Sequence, residues 1–236
     1  MIVPLALEVI ATSLDDALAI EQGGAARIEL VTSLERGGLT PSLALVDAVL
    51  SRVRIPVRVM VRDSEPHEVP DPLVRRRLVE HARAVGQRPV DGLVFGALVD
   101  GRIDEALLDA VGGAAGRPIT FHRAFEDLAD PDAGLGTLGR HPLVDRVLCD
   151  GGSGDWPARA ERLRAWSVVA GPGLHLLPGG GITEEALTAI SRVAVLREVH
   201  VGRLVREPET ASGVVSARRV ADLVARLGQL RPPGPT

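Results

Sequence analysis

Short apolar runs alternate with longer amphipathic stretches along the whole chain, and each pairing predicts one strand followed by one helix. The β-rich runs fall at residues 5–11, 27–31, 56–62, 92–98, 118–122, 145–149, 173–177 and 198–201. Helical patterns follow at 13–22, 41–52, 71–86, 103–115, 130–140, 155–170, 183–193 and 214–227. Punctuation supports these boundaries. Ser13 reads as an N-cap with Asp15 and Asp16 in the first turn, Gly23-Gly24 ends that helix, and Thr40-Pro41 reads as cap and first residue of the second. Eight such units are the number that closes a parallel sheet, so the expected fold class is α/β, a (β/α)8 TIM barrel. An open doubly wound sheet is the alternative, because periodicity does not show closure. No linker divides the chain: residues 1–230 are expected to form a single domain, followed by a flexible C-terminal tail at 231–236.

Parallel strands buried on both faces should read as almost unbroken apolar runs. Several here do not. Glu8 interrupts the first strand, Glu29 the second, and Arg58 and Arg62 the third; Thr120, His122 and Arg123 end the fifth, Cys149 and Asp150 the sixth. His175 lies in the seventh and His200 in the eighth. Buried carboxylates cost several kcal/mol unless paired, so Glu8 and Glu29 need partners, and Arg62, His122, Arg123 and His200 are the candidates. Closure would bring these six together near one mouth of the barrel, as candidate catalytic residues. The plainer reading is a salt-bridge layer that only holds the barrel's shape. His175 reads as a satisfied core histidine, and Arg58 can point outward toward the helices.

Glycine-rich turns add a second feature. Gly179, Gly180 and Gly181 precede a helix that opens at Thr183, and Gly202-Arg203 follows the eighth strand. Turns after strands seven and eight commonly bind phosphate in this fold, through backbone N–H groups and the helix dipole. These five residues form the expected anion-binding set; glycine used only for backbone conformation is the plainer alternative. Gly151-Gly152-Ser153-Gly154 is a weaker example, and Gly37-Gly38 reads as a tight turn.

Composition narrows the picture. Aromatic residues are 2% of the chain and Tyr is absent, so a core must be built from Val, Leu, Ile and Ala. A formal charge of −4 gives no reason to expect nucleic acid, and the cluster Arg75–Arg77 reads as a solvated helix face. The N-terminus lacks a signal-peptide pattern, and no window of 18 apolar residues lacks charges. A single cysteine, Cys149, excludes an intrachain disulfide. No membrane partner is therefore expected, and the expected location is cytoplasmic.

The motifs, in order, resemble the CutC family of copper homeostasis proteins. They are Leu7-Glu8-Val9, Gly23-Gly24-Ala25-Ala26-Arg27-Ile28-Glu29-Leu30, Gly37-Gly38-Leu39-Thr40-Pro41-Ser42, Gly92-Leu93-Val94-Phe95-Gly96-Ala97-Leu98, Thr120-Phe121-His122-Arg123-Ala124-Phe125, Pro178-Gly179-Gly180-Gly181-Ile182 and Glu198-Val199-His200. The resemblance implies a cytoplasmic (β/α)8 barrel, a link to copper, and a possible homodimer. The family's copper role is ascribed to cysteines in the first two strands; here Ile10, Ala11 and Val31 stand there. Val61-Arg62-Asp63-Ser64, Glu126 and Cys149-Asp150-Gly151 also depart from the family's usual motifs. Cu(I) prefers sulfur, and the whole supply is Cys149, Met60 and Met1, with Cys149 a weak metal candidate.

Three functions follow. The first is a copper-handling protein, with copper implied by the resemblance. The second is a barrel enzyme acting on a small anionic metabolite bearing phosphate or carboxylate. There Glu8 or Glu29 would be general base, His122 acid or electrophile, and Arg62 and Arg123 anion holders. Carboxylates with His can instead hold another divalent metal, between Glu8, Glu29 and His122. The third is a barrel with a vestigial pocket.

Overall fold

The computed structural model describes residues 5–230, so the expected tail and Met1 lie outside the described residues. Among the described residues, eight parallel strands line up in one sheet: β1 (Ala6–Ala11), β2 (Arg27–Leu30), β3 (Val57–Met60), β4 (Gly92–Phe95), β5 (Ile119–Phe121), β6 (Val144–Cys149), β7 (His175–Pro178) and β8 (Glu198–Val201). Each pairs with the next as far as β7, while β8 pairs with β1, Glu8 opposite His200. β7 runs alongside β8, and the sheet rolls into a nearly closed (β/α)8 barrel. The open-sheet alternative is excluded because β7 and β8, the two ends of this strand order, lie side by side.

Among the described residues eight α-helices surround it: α1 (Leu14–Gln22), α2 (Leu43–Leu50), α3 (Pro72–Gly86), α4 (Glu105–Ala115), α5 (Pro131–Arg140), α6 (Trp156–Ala170), α7 (Glu184–Ser191) and α8 (Ala217–Gln229). Ser13, Asp71, Asp104, Asp130, Asp155 and Thr183 each accept a first-turn N–H, which starts these helices sharply. The second start differs from expectation. Ser42 caps α2, not Thr40, and the Thr40 hydroxyl instead bonds both backbone groups of Arg62 at 2.8 and 2.9 Å. The eighth helix also starts later, because Val214–Val215 pairs with Arg206–Glu207 in a short hairpin. Residue 98, expected in the fourth strand, belongs to another hairpin, Leu98–Val99 with Arg102–Ile103. α8 closes the ring of helices against α1, where a Cβ on Gly23 would meet Val220 at 2.4 Å.

Strand alternation sorts the side chains into two environments. Outward residues such as Leu7, Val9, Ile28, Leu30, Val57, Val59, Phe95, Phe121, Val147 and Val199 pack against the helices as the main apolar core. Inward residues include Glu8, Glu29, Arg58, Thr120 and His200, polar positions that broke the strand pattern, above which sits a small apolar group of Val31, Met60 and Val94 with Ile10. Among the described residues no helix is long and apolar enough to cross a membrane.

Candidate active site in the barrel mouth

The lower lumen is a chain of ion pairs. Arg27 on β2 holds Glu8 of β1 and Glu198 of β8. Glu198 also takes Arg146 of β6 at 2.9 Å, and Arg146 reaches Asp145. Asp145 is shared with Arg58 at 2.6 Å, and Arg58 extends to Asp91 and to the Thr120 hydroxyl, each at 2.8 Å. Arg58 is 1% exposed and points into the barrel, which corrects the outward alternative. His175, read as a core histidine, is exposed at the start of β7. Arg75 is not simply solvated either: it is half-buried against Asp104. The salt-bridge layer considered from sequence therefore exists, one layer below the cavity, and it includes Glu8.

Above it stand Glu8, His200 and Glu29, whose ligand atoms lie within 4.8 Å of one another. His200 Nδ1 is 2.7 Å from Glu8 Oε1, and Nε2 is 3.4 Å from Glu29 Oε2. Both carboxylates are buried, yet their protonation diverges. Burial alone would raise Glu8, but Arg27 and then His200 hold it at about 2. Glu29 lacks an arginine contact, and burial pushes it up to about 7. Burial also opposes the charge on His200, but the Glu29 charge and the Glu8 hydrogen bond raise it above the usual histidine value. Arg62, His122 and Arg123, expected as partners of the carboxylates, are not among their partners. His200 and the unanticipated Arg27 are. Arg27 was discoverable, since it lies two residues before Glu29 and so shares its face.

A cavity of about 790 Å³ opens at the C-terminal ends of the strands. Glu29, Arg62, His122, Arg123, His200, Gly180, Gly181, Gly202 and Arg203 all line it, whereas Glu8 lies behind His200 and Gly179 is not on the wall. Arg62 is fastened to backbone carbonyls of Gly37 and Ser64 at 3.2 and 2.9 Å, and to that of Glu65. Burial lowers its pKa. Arg123 grips Glu126 through Nε at 2.8 and 2.9 Å. Both expected anion holders thus have their guanidinium groups engaged within the protein. Arg203 is exposed at the mouth with no ion-pair partner among the described residues. Gly180 and Gly181 adopt φ of +84° and +72°, which side chains rarely tolerate, and lead to the Thr183 cap of α7. Glu35 and Glu209 share the mouth with them.

His122 immediately follows β5 and is 3% exposed. Its Nδ1 accepts the Ala124 N–H at 3.1 Å, while Nε2 has no partner among the described residues. His67 packs beside it, ring centroids 5.2 Å apart, and is held by Asp127 at 2.6 Å. His67 comes from the long loop after β3, where no periodicity marks a residue as inward.

A family model for CutC matches residues 5–204 of the sequence. The chain belongs to the CutC family. It is similar to a copper homeostasis protein cutC homolog of Mus musculus, 38% identical over 200 residues that cover 82% of this chain and 72% of that protein. It is also similar to a family protein CutC of Xanthomonas campestris pv. campestris, 36% identical over 204 residues, covering 83% and 82%. Among solved structures, the putative copper homeostasis protein CutC of Streptococcus agalactiae superposes with a TM-score of 0.75 at 25% identity, covering 84% of this chain and 98% of that one. The N-(5'-phosphoribosyl)anthranilate isomerase of Pyrococcus furiosus, with a TM-score of 0.60 at 16% identity over 95% and 98% of the chains, shares the fold.

This CutC chain keeps its soft donors apart. Cys149 is fully buried on the outer face of β6, in the strand–helix core, and burial drives its thiol pKa far up. That removes it from the cavity, where it stood as a weak metal candidate. Met60 is the sulfur on the cavity wall among the described residues, packed with Val31 and Val94. In this family member Ile10 and Val31 also line the wall. The trio within reach of one ion is Glu8, Glu29 and His200, not the expected set with His122.

Proposed function

We propose that this chain is a barrel enzyme acting on a small anionic metabolite, with the Glu29 carboxylate as the group that takes and returns a proton. One observation carries this: Glu29 faces the cavity and is held at about 7, the value at which a carboxylate works as base and acid near neutral pH. His200, anchored from behind by Glu8, fixes its position. The anionic end of the substrate is assigned to the Gly180-Gly181 turn and Arg203, which stand after strands seven and eight and where a guanidinium is free among the described residues.

The relatives' names raise copper. The residues present do not fit Cu(I): the thiol is in the core, and the clustered donors are two carboxylates and an imidazole. Those oxygens suit a harder divalent ion, but Glu8 is already committed to Arg27 and His200. No step is therefore routed through a metal.

Thermal shifts with inorganic phosphate and with phosphorylated and carboxylated metabolites test the proposal. Anions should raise Tm, and Arg203→Ala should weaken the tightest by roughly 10-fold or more, as expected for one charge-assisted hydrogen bond. Glu29→Gln should retain anion binding and lose turnover. Stoichiometric Cu(I) binding abolished by Cys149→Ser, with no anion stabilising the protein, would reverse the assignment.

A further inference from the structure

We infer that His122 acts opposite Glu29 as a neutral imidazole that donates its Nε2–H to a substrate carbonyl oxygen, so that the substrate is a small anionic aldehyde or ketone whose α-carbon loses and regains a proton. This rests on the reading of Glu29 as the proton-transferring group and names the class of substrate it serves.

The tautomer follows from one bond. A backbone N–H can only donate, so the Ala124 N–H at 3.1 Å requires Nδ1 to be the acceptor. The ring proton is then on Nε2. That N–H is buried and has no partner among the described residues, and His122 is one of the residues lining the cavity. A buried orphan donor is destabilising, and a hydrogen bond to a ligand oxygen removes that penalty. The ring is also held in place. A Cβ on Gly96 would come 2.7 Å from Nδ1 and 2.9 Å from Cε1, so only glycine lets the β4 end lie flat against the imidazole. Burial, then the neighbouring His67 and Arg62, keeps His122 well below the usual histidine range. It remains an imidazole rather than an imidazolium at neutral pH.

The step balances without a co-reactant. The Glu29 carboxylate removes the proton from the carbon next to the carbonyl. The C–H electron pair becomes the new C=C bond, and the carbonyl π pair moves onto oxygen. That oxyanion accepts the His122 Nε2–H bond, and His122 keeps its proton. The Glu29 carboxylic acid then returns a proton to carbon. A hydrogen-bond donor aimed at the developing oxyanion is worth about 10²–10³ in rate.

The probes are dihydroxyacetone phosphate and pyruvate in D2O, with α C–H loss followed by proton NMR. The wild-type protein should exchange the α protons of at least one probe, and Glu29→Gln should abolish exchange. His122→Ala should slow it roughly 100-fold or more, with partial recovery in His122→Gln, whose amide still donates. Exchange by His122→Ala at the wild-type rate overturns the inference. So does a wild-type protein that exchanges neither probe; if anions still bind through Arg203, the broader enzyme reading stands while this one falls. Independently of any probe, 15N NMR of the free protein at pH 7 should show His122 neutral with the proton on Nε2. An Nδ1–H tautomer or an imidazolium would overturn it.

Discussion

His200 Nδ1 lies 2.7 Å from Glu8 Oε1, although 192 residues separate the two in the chain. This contact joins the ion-paired lower lumen to the cavity above. Arg27 and this histidine together hold Glu8 down at about 2, while burial lifts Glu29, on the far side of the imidazole, to about 7.

The two carboxylates have opposite pH signatures. Glu29 is raised from 4.5 to about 7, so the native state holds a proton there that the unfolded chain has released. Its contribution to stability is complete below pH 4.5 and is lost as pH rises toward 7. Glu8 is lowered to about 2, so its contribution is present above pH 4.5 and is lost as pH falls toward 2. Glu29→Gln should therefore melt above wild type at pH 8, with the gain shrinking toward zero at pH 5. Tm measured across that range decides it; a gain independent of pH would contradict the assignment.

Arg27 neutralises two buried carboxylates at once. Arg27→Met leaves Glu8 and Glu198 without it and should cost about 3–5 kcal/mol. Urea denaturation reads this directly. A loss below 1 kcal/mol would mean that the ion-pair chain contributes little to holding the lower barrel.

Gly96 is a test of ring placement rather than of helix or strand propensity. Gly96→Ala puts a methyl 2.7 Å from His122 Nδ1 and must displace the imidazole. The expected result is a stability loss of roughly 1–3 kcal/mol together with a changed His122 NMR resonance. An unchanged resonance would show that the ring does not depend on this contact.

Cys149 should be silent in the folded protein. Its thiol is fully buried and held in the un-ionised form, so a thiol reagent should react only on unfolding. Rapid labelling of native protein at pH 8 would place the side chain elsewhere.

Much of the architecture was legible because it is local. The eight units, the Ser13 cap and the Gly180-Gly181 turn follow from neighbours a few residues apart. The second helix was misread because Thr40 serves the β3 end instead of its own helix, and a partner 22 residues away leaves no local signal. The site was legible as a list of residue types, less so as a set of contacts. Glu29, His122 and His200 do share one cavity, but the ion-pair roles of Arg27, Arg146 and Glu198 depend on partners from distant strands and leave no local signal.

By itself, then, the sequence determined the order of strands and helices, the cap at Ser13, the CutC family membership and the presence of carboxylates and histidines in strands that should have been apolar. Only the tertiary structure decided which carboxylate is paired by arginine and which faces the cavity, that Cys149 points outward, and that His122 is left with an unpartnered N–H. The physical reason is that alternation along a strand sets which residues share a face. The inward direction, the layer and the cross-strand partner arise only when β8 pairs with β1 and the barrel closes.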